Sequence, residues 1–175
     1  YKVLVQDRYR RGGARYQYVL AIRKQQPDFY AAVIHSQNPG PGGTTIWRGG
    51  SVYMDVILHQ QHGYNEPITI TAEKLPPGLH VSPTVINNNS RGTLVIFADD
   101  DAAAFTGPIK LIATGKRGGE TIRREVRPYS RVWNNAGMNS SRPTRELVVA
   151  IRDAAPYRLE WSAANVDVEA GKDAK

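Results

Sequence analysis

Glu66-Pro-Ile-Thr-Ile-Thr-Ala-Glu-Lys-Leu-Pro-Pro-Gly-Leu-His-Val-Ser-Pro83 is the stretch that decides the fold. Ile68, Ile70 and Ala72 fall on one side of an extended chain, and Thr69, Thr71 and Glu73 on the other. A Leu-Pro-Pro-Gly-Leu turn breaks the strand, and a second short extended piece follows. Period-two alternation bounded by Pro and Gly describes antiparallel strands with one wet face and one buried face.

The same grammar runs outward in both directions. Downstream of Pro27, Phe29 to His35 is a strand candidate, and Asn38-Pro-Gly-Pro-Gly-Gly43 is a loop. Thr44 to Trp47 is short and extended. Val52, Met54, Val56 and Leu58 line one face of a further strand, opposite Tyr53, Asp55 and His59. Thr93–Ala98, Ile109–Thr114, Thr121–Arg127 and Glu146–Ile151 are expected as later strands, with Gly118-Gly119 turning one hairpin. Asp99 to Phe105 suits at most one helical turn. Pro128 to Pro143, rich in Asn, Ser and Gly, reads as a long loop. Short strands at this spacing indicate an all-β sandwich.

Upstream, Tyr1, Val3 and Val5 alternate with polar neighbours, Gly12-Gly13 turns the chain, and Tyr16, Tyr18, Leu20 and Ile22 alternate again. A lone hairpin is marginal in water, so this one is expected to pair with a larger sheet. A faint repeat links Pro27-Asp-Phe29 with Pro156-Tyr157, and Ile22-Arg23 with Ile151-Arg152. The expected organisation is therefore 1–26 as the closing hairpin of a preceding β-sandwich, 27–152 as a complete sandwich, and 153–175 as the first strands of a following module. Both ends of the chain read as continuing into a longer polypeptide.

The chain has no cysteine, so disulfides play no part. No apolar run approaches the roughly 20 residues of a spanning helix. A net charge of +7 permits polyanion binding, although charge alone reads no sequence in nucleic acid.

Few residues offer chemistry. His59 and His62 are three apart on a strand and point to opposite faces, while His35 and His80 have no local partner, so no metal site is expected. Asp99-Asp-Asp101 lacks the spacing of a calcium loop and reads as a turn. Nucleophile elbows, cysteine nucleophiles and phosphate loops are missing, so neither an enzyme nor a cofactor is expected. Two candidate surfaces remain. Trp47, Tyr53 and Trp133 are aromatics that could stack on sugar rings. Arg8, Arg10, Arg11 and Arg15, with Lys116, Arg117, Arg123, Arg124, Arg127 and Arg131, are candidates for polyanion binding. The competing reading of the aromatics is core or cross-strand packing, and of the cations, solvated faces and guarded strand edges.

Tyr1-Lys-Val-Leu-Val-Gln-Asp7, Gly12-Gly13 and Tyr16-Gln-Tyr-Val-Leu-Ala-Ile22 resemble the closing hairpin of the bacterial pre-peptidase C-terminal domain. Pro67-Ile-Thr-Ile70, Leu75-Pro-Pro-Gly-Leu79, Ser82-Pro83, Gly107-Pro-Ile109 and Gly118-Gly119 give residues 27–152 a resemblance to the immunoglobulin-like modules of large exported bacterial proteins. The resemblance implies an antiparallel immunoglobulin-like β-sandwich with flanking partial β modules. It also implies an extracellular, cell-surface or periplasmic location and a non-catalytic role in spacing or docking other domains. Neighbouring domains of the same polypeptide are the expected partners, with other surface proteins or polysaccharide as further candidates and nucleic acid disfavoured. A carbohydrate-binding module and a polyanion binder are the alternatives. Antibody-type Cys-Trp-Cys spacing is missing, so no disulfide carries over.

Overall fold

A computed structural model describes residues 2–37, 39–87, 90–135 and 138–157, and for 133–135, 138 and 139 the backbone alone. The described residues contain twelve strands and no helix. They are β1 (Asp28–His35), β2 (Gly43–Trp47), β3 (Ser51–Gln61), β4 (Ile68–Glu73), β5 (Leu79–Val81), β6 (Thr84–Ile86), β7 (Arg91–Ala98), β8 (Phe105–Arg117), β9 (Glu120–Glu125), β10 (Arg127–Asn135), β11 (Met138–Pro143) and β12 (Leu147–Arg152).

The strands form two facing sheets. The first runs β11-β10-β1-β3-β7-β5, and the second β2-β12-β8-β4-β6, with β9 also paired to β8. Alternating β-branched and aliphatic residues give the central strands of both sheets one apolar face, and the two apolar faces close on each other. Phe29, Val33, Met54, Val56, Leu94 and Ile96 fill the core from the first sheet. Ile46, Ile68, Ile70, Leu111, Val149 and Ile151 meet them from the second. Each fully buried aliphatic of this size contributes roughly 1.5–3 kcal/mol through burial.

The opening segment becomes β4, a turn and β5. Ile68 and Ile70 are buried, and Thr69 and Thr71, which alternate with them on the other face, are half-buried. Leu79 donates its amide to the Pro76 carbonyl at 3.1 Å, and Gly78 takes φ +77°. That is a type II turn with Pro at its second position and Gly at its third.

The structure is the expected all-β sandwich, but two of its pairings are not antiparallel. β1 pairs in parallel with β10, and β2 in parallel with β12, so both sheets are mixed. Pro128 to Pro143 is not a loop but the β10–β11 pair. The chain crosses from the second sheet to the first at Val126, which is buried and donates its amide to the Leu111 carbonyl. Asp99 to Phe105 holds a turn rather than a helical turn. Thr84–Ile86 is an additional short strand on the free side of β4.

Residues 2–27 carry no strand, only turns closed by Arg10 N–H to the Asp7 carbonyl and Tyr16 N–H to the Gly13 carbonyl. Leu4, Val19 and Ile22 stand exposed, with no sheet among the described residues packed on their alternating faces. The following module expected over 153–175 lies outside the described residues from 158 onward.

The ladders also fix where the chain enters and leaves the sandwich. Asp28, the first residue of β1, lies opposite Gln61, the last residue of β3. Arg152, the last residue of β12, lies level with Trp47, from which a short turn leads into Ser51, the first residue of β3. Entry and exit are thus at opposite ends of β3. At about 3.3 Å per residue, its eleven residues span about 35 Å.

Candidate binding face

The outer face of the first sheet carries aromatic, charged and hydroxyl side chains together. Residues directly opposite in a ladder share a face. The ladder therefore sets Tyr30 beside His59, Ala32 beside Ile57 and Ile34 beside Asp55. Arg91 and Thr93 of β7 sit beside Ile57 and Asp55, and Tyr53 follows on β3. On the other flank Arg127 is level with Ala32, and Tyr129 with Ile34.

This face is rimmed by a wall. Beyond Tyr129, β10 leaves β1 and takes a new partner: Gly40 and Arg131 exchange two backbone hydrogen bonds of 2.8 and 2.9 Å. A bulge between Arg131 and Trp133 then bends the strand, as an unpaired extra residue does. Arg131 reaches back across the face, its guanidinium 3.4 Å from Asp55 and 3.4 Å from the Ser36 carbonyl. The result is a cleft of about 560 Å³ between Ile34, Ile57, Arg91 and Thr93 on one side and Arg131, Ser140 and Ser141 on the other. Ile34 is buried although it points away from the core. A second cleft of about 710 Å³ opens where β10 begins, lined by Tyr30, Arg127, Tyr129 and Arg145 among others.

Two ring pairs mark the face. Tyr30 and His59 have centroids 5.0 Å apart. His80 stacks on Phe97 at 4.9 Å, while its Nε2 lies 2.9 Å from an Asp99 carboxylate oxygen. Among the described residues no three His, Asp or Glu side chains gather where they could hold a metal ion.

Trp47 and Tyr53 do not come together. Trp47 is 47% exposed on β2, an edge of the second sheet, and Tyr53 is 56% exposed on the outer face of the first. The backbone of Trp133 pairs with Ser140, and its side chain lies outside the described residues.

The cations divide. Arg8 and Arg11 lie over the Tyr9 ring at 5.8 and 4.9 Å, and Arg11 also approaches Tyr16 and Asp7. Arg10 and Arg15 belong to the same exposed segment. Arg117 pairs with Glu120, Arg123 with Glu73, and Arg124 with Asp28. Lys116, Arg91, Arg127 and Arg145 form no ion pair among the described residues, and all four are exposed. Arg127 and Tyr53 are among the candidates the sequence singles out, whereas Tyr30 and Arg91 are not; outward alternation in β1 and β7 is the signal available for these two.

No protein-family model matches the chain, and a search of curated proteins gives no match. In structure the chain is similar to domains 4 and 5 of the S-layer protein SbsC, at 14% identity and a TM-score of 0.37 over 75% of this chain. It is also similar to SbsC domains 1–6, at 14% identity and a TM-score of 0.38 over 84% of this chain. The chain spans 55% and 15% of the length of those two structures.

Proposed function

We propose that residues 27–152 are a non-catalytic spacing and docking module of a larger exported or cell-surface protein. The observation that carries this reading is the placement of entry and exit at opposite ends of β3. A module threaded in this way adds its own length to whatever precedes and follows it. The uncovered apolar residues of 2–22 point the same way, since exposed rows of this kind mark surfaces that pack on something else. A neighbouring β unit would give them cover. The resemblance of 1–22 and 27–152 to parts of exported bacterial proteins supplies the setting.

Small-angle scattering on the polypeptide extended through its neighbours tests the reading. An in-line arrangement lengthens the maximum dimension by about 35 Å for this module. A compact particle, with the neighbours folded back against the sandwich, would rule out a spacer.

A further inference from the structure

We propose that the outer face of the first sheet binds an acidic saccharide, a sugar ring bearing a carboxylate. The face presents rings, unpaired guanidiniums and hydroxyls together, beside a wall that gives it depth.

Tyr30 is 44% exposed and packs against the tilted His59 ring at an interplanar angle of 40°, so its ring is held as a platform by its cross-strand neighbour. Flat aromatic faces suit the C–H faces of a pyranose, and Tyr129 lines the same cleft from β10. Arg127 stands between the two tyrosines, level with Ala32, and Arg91 stands across the face on β7. Neither guanidinium meets a carboxylate among the described residues, so both are available for two-bonded recognition of an acid. Arg131 is held by Asp55 and forms the wall with Ser140, whose exposed hydroxyl adds a partner for sugar oxygens. The carboxylates nearby are engaged, Asp55 with Arg131, Asp99 with His80 and Glu125 with Lys110, so the free charge that Arg91 and Arg127 add to this surface favours an anion.

The alternatives fit less well. An extended peptide binds a sheet chiefly by adding a strand to an edge. Here β1, β3 and β7 all have neighbours on both sides, so their backbone groups are committed and only side chains address a ligand. A nucleic acid needs a row of phosphate contacts, and among the described residues of this face only Arg91, Arg127 and, at the mouth of the second cleft, Arg145 are free of a carboxylate.

Isothermal titration of the whole 175-residue chain with a short polygalacturonate oligomer at low salt tests the assignment. Its methyl-esterified counterpart and a polyglutamate of matched charge serve as comparisons. We expect binding to the free acid alone, weakened about tenfold or more in Arg91→Ala/Arg127→Ala, since each lost charged contact is worth roughly that much. Tyr30→Ala should weaken it too, whereas Tyr30→Phe retains it. Amide shift changes in the unaltered protein should centre on β1, β7 and β10, a readout that does not require any variant to fold. No binding at low salt, undiminished binding by the variants, or equal binding of polyglutamate would each overturn the proposal.

Discussion

Arg124 and Asp28, 96 residues apart in the chain, meet in a two-bonded ion pair: Nη2 donates to one carboxylate oxygen at 2.8 Å and Nε to the other at 3.1 Å. The pair ties β9 of the second sheet to the entry strand of the first. Burial pushes the Asp28 carboxyl upward, but the Arg124 hydrogen bonds, the Phe29 amide and the charges of Arg124 and Arg117 outweigh it, leaving the group below its ordinary 3.8. The same partnership raises Arg124. A carboxylate lowered on folding stabilises the fold above its unfolded value, and the contribution fades as pH falls through the folded one. Arg124→Ala should cost about 1 kcal/mol at neutral pH, less than for a fully buried pair because solvent screens it. Urea melts across pH should show the gap between the two proteins closing below 3.8; a constant gap would mean that the loss is packing alone.

Gly78 is the tightest point of the segment that decides the fold. Its φ of +77° disfavours any side chain, and a Cβ there would stand 2.9 Å from that of Ala102. Gly78→Ala should therefore destabilise by about 1–3 kcal/mol, the range for a strained backbone position. Thermal unfolding would reveal it, and an unchanged midpoint would show that the turn relaxes freely.

The core predicts a contrast. Leu94 is completely buried between the sheets, so Leu94→Ala should cost about 2–5 kcal/mol. Val85 on the short strand β6 is 57% exposed, and Val85→Ala should stay within about 0.5 kcal/mol. Equal losses in denaturant titrations would contradict the assigned faces.

The wall of the cleft depends on Gly40. A Cβ at that position would come within 2.6 Å of His35 Cβ and 2.7 Å of the Gln37 carbonyl. Gly40→Ala should loosen the bridge to Arg131 and speed exchange of the Arg131 amide by about tenfold, with core amides unaffected. Site-resolved hydrogen exchange reads this directly; unchanged protection at Arg131 would dissociate the wall from the Gly40 bridge.

Strands that bury one face announced themselves in the sequence. Ile68, Ile70, Met54, Val56, Leu94 and Ile96 alternate, and all are buried as that alternation requires. β10 and β11 gave no such signal. They lie at a rim, their sequence is Asn- and Ser-rich, and Pro128 and Pro143 argue against strand, yet both prolines sit near strand ends where they are tolerated. Parallel pairing was invisible for a different reason: alternation reports which face is buried and carries nothing about which strand lies alongside. The binding face was half legible. Arg127 and Tyr53 stood out by type, whereas joining Tyr30 and Arg91 to them needed the register across β1, β3, β7 and β10.

The two parallel pairings carry a mechanical consequence. Tension entering at Asp28 and leaving at Arg152 pulls β1 and β12 lengthwise in opposite directions. Each is flanked on both sides, β1 by β10 and β3, β12 by β2 and β8. Their ladder bonds then bear the load together in shear instead of opening one after another like a zipper. Single-molecule pulling between these points should give an abrupt high-force rupture, and gradual low-force unravelling would contradict it. A module clamped in this way resists stretch along the direction in which a chain of such modules would be pulled.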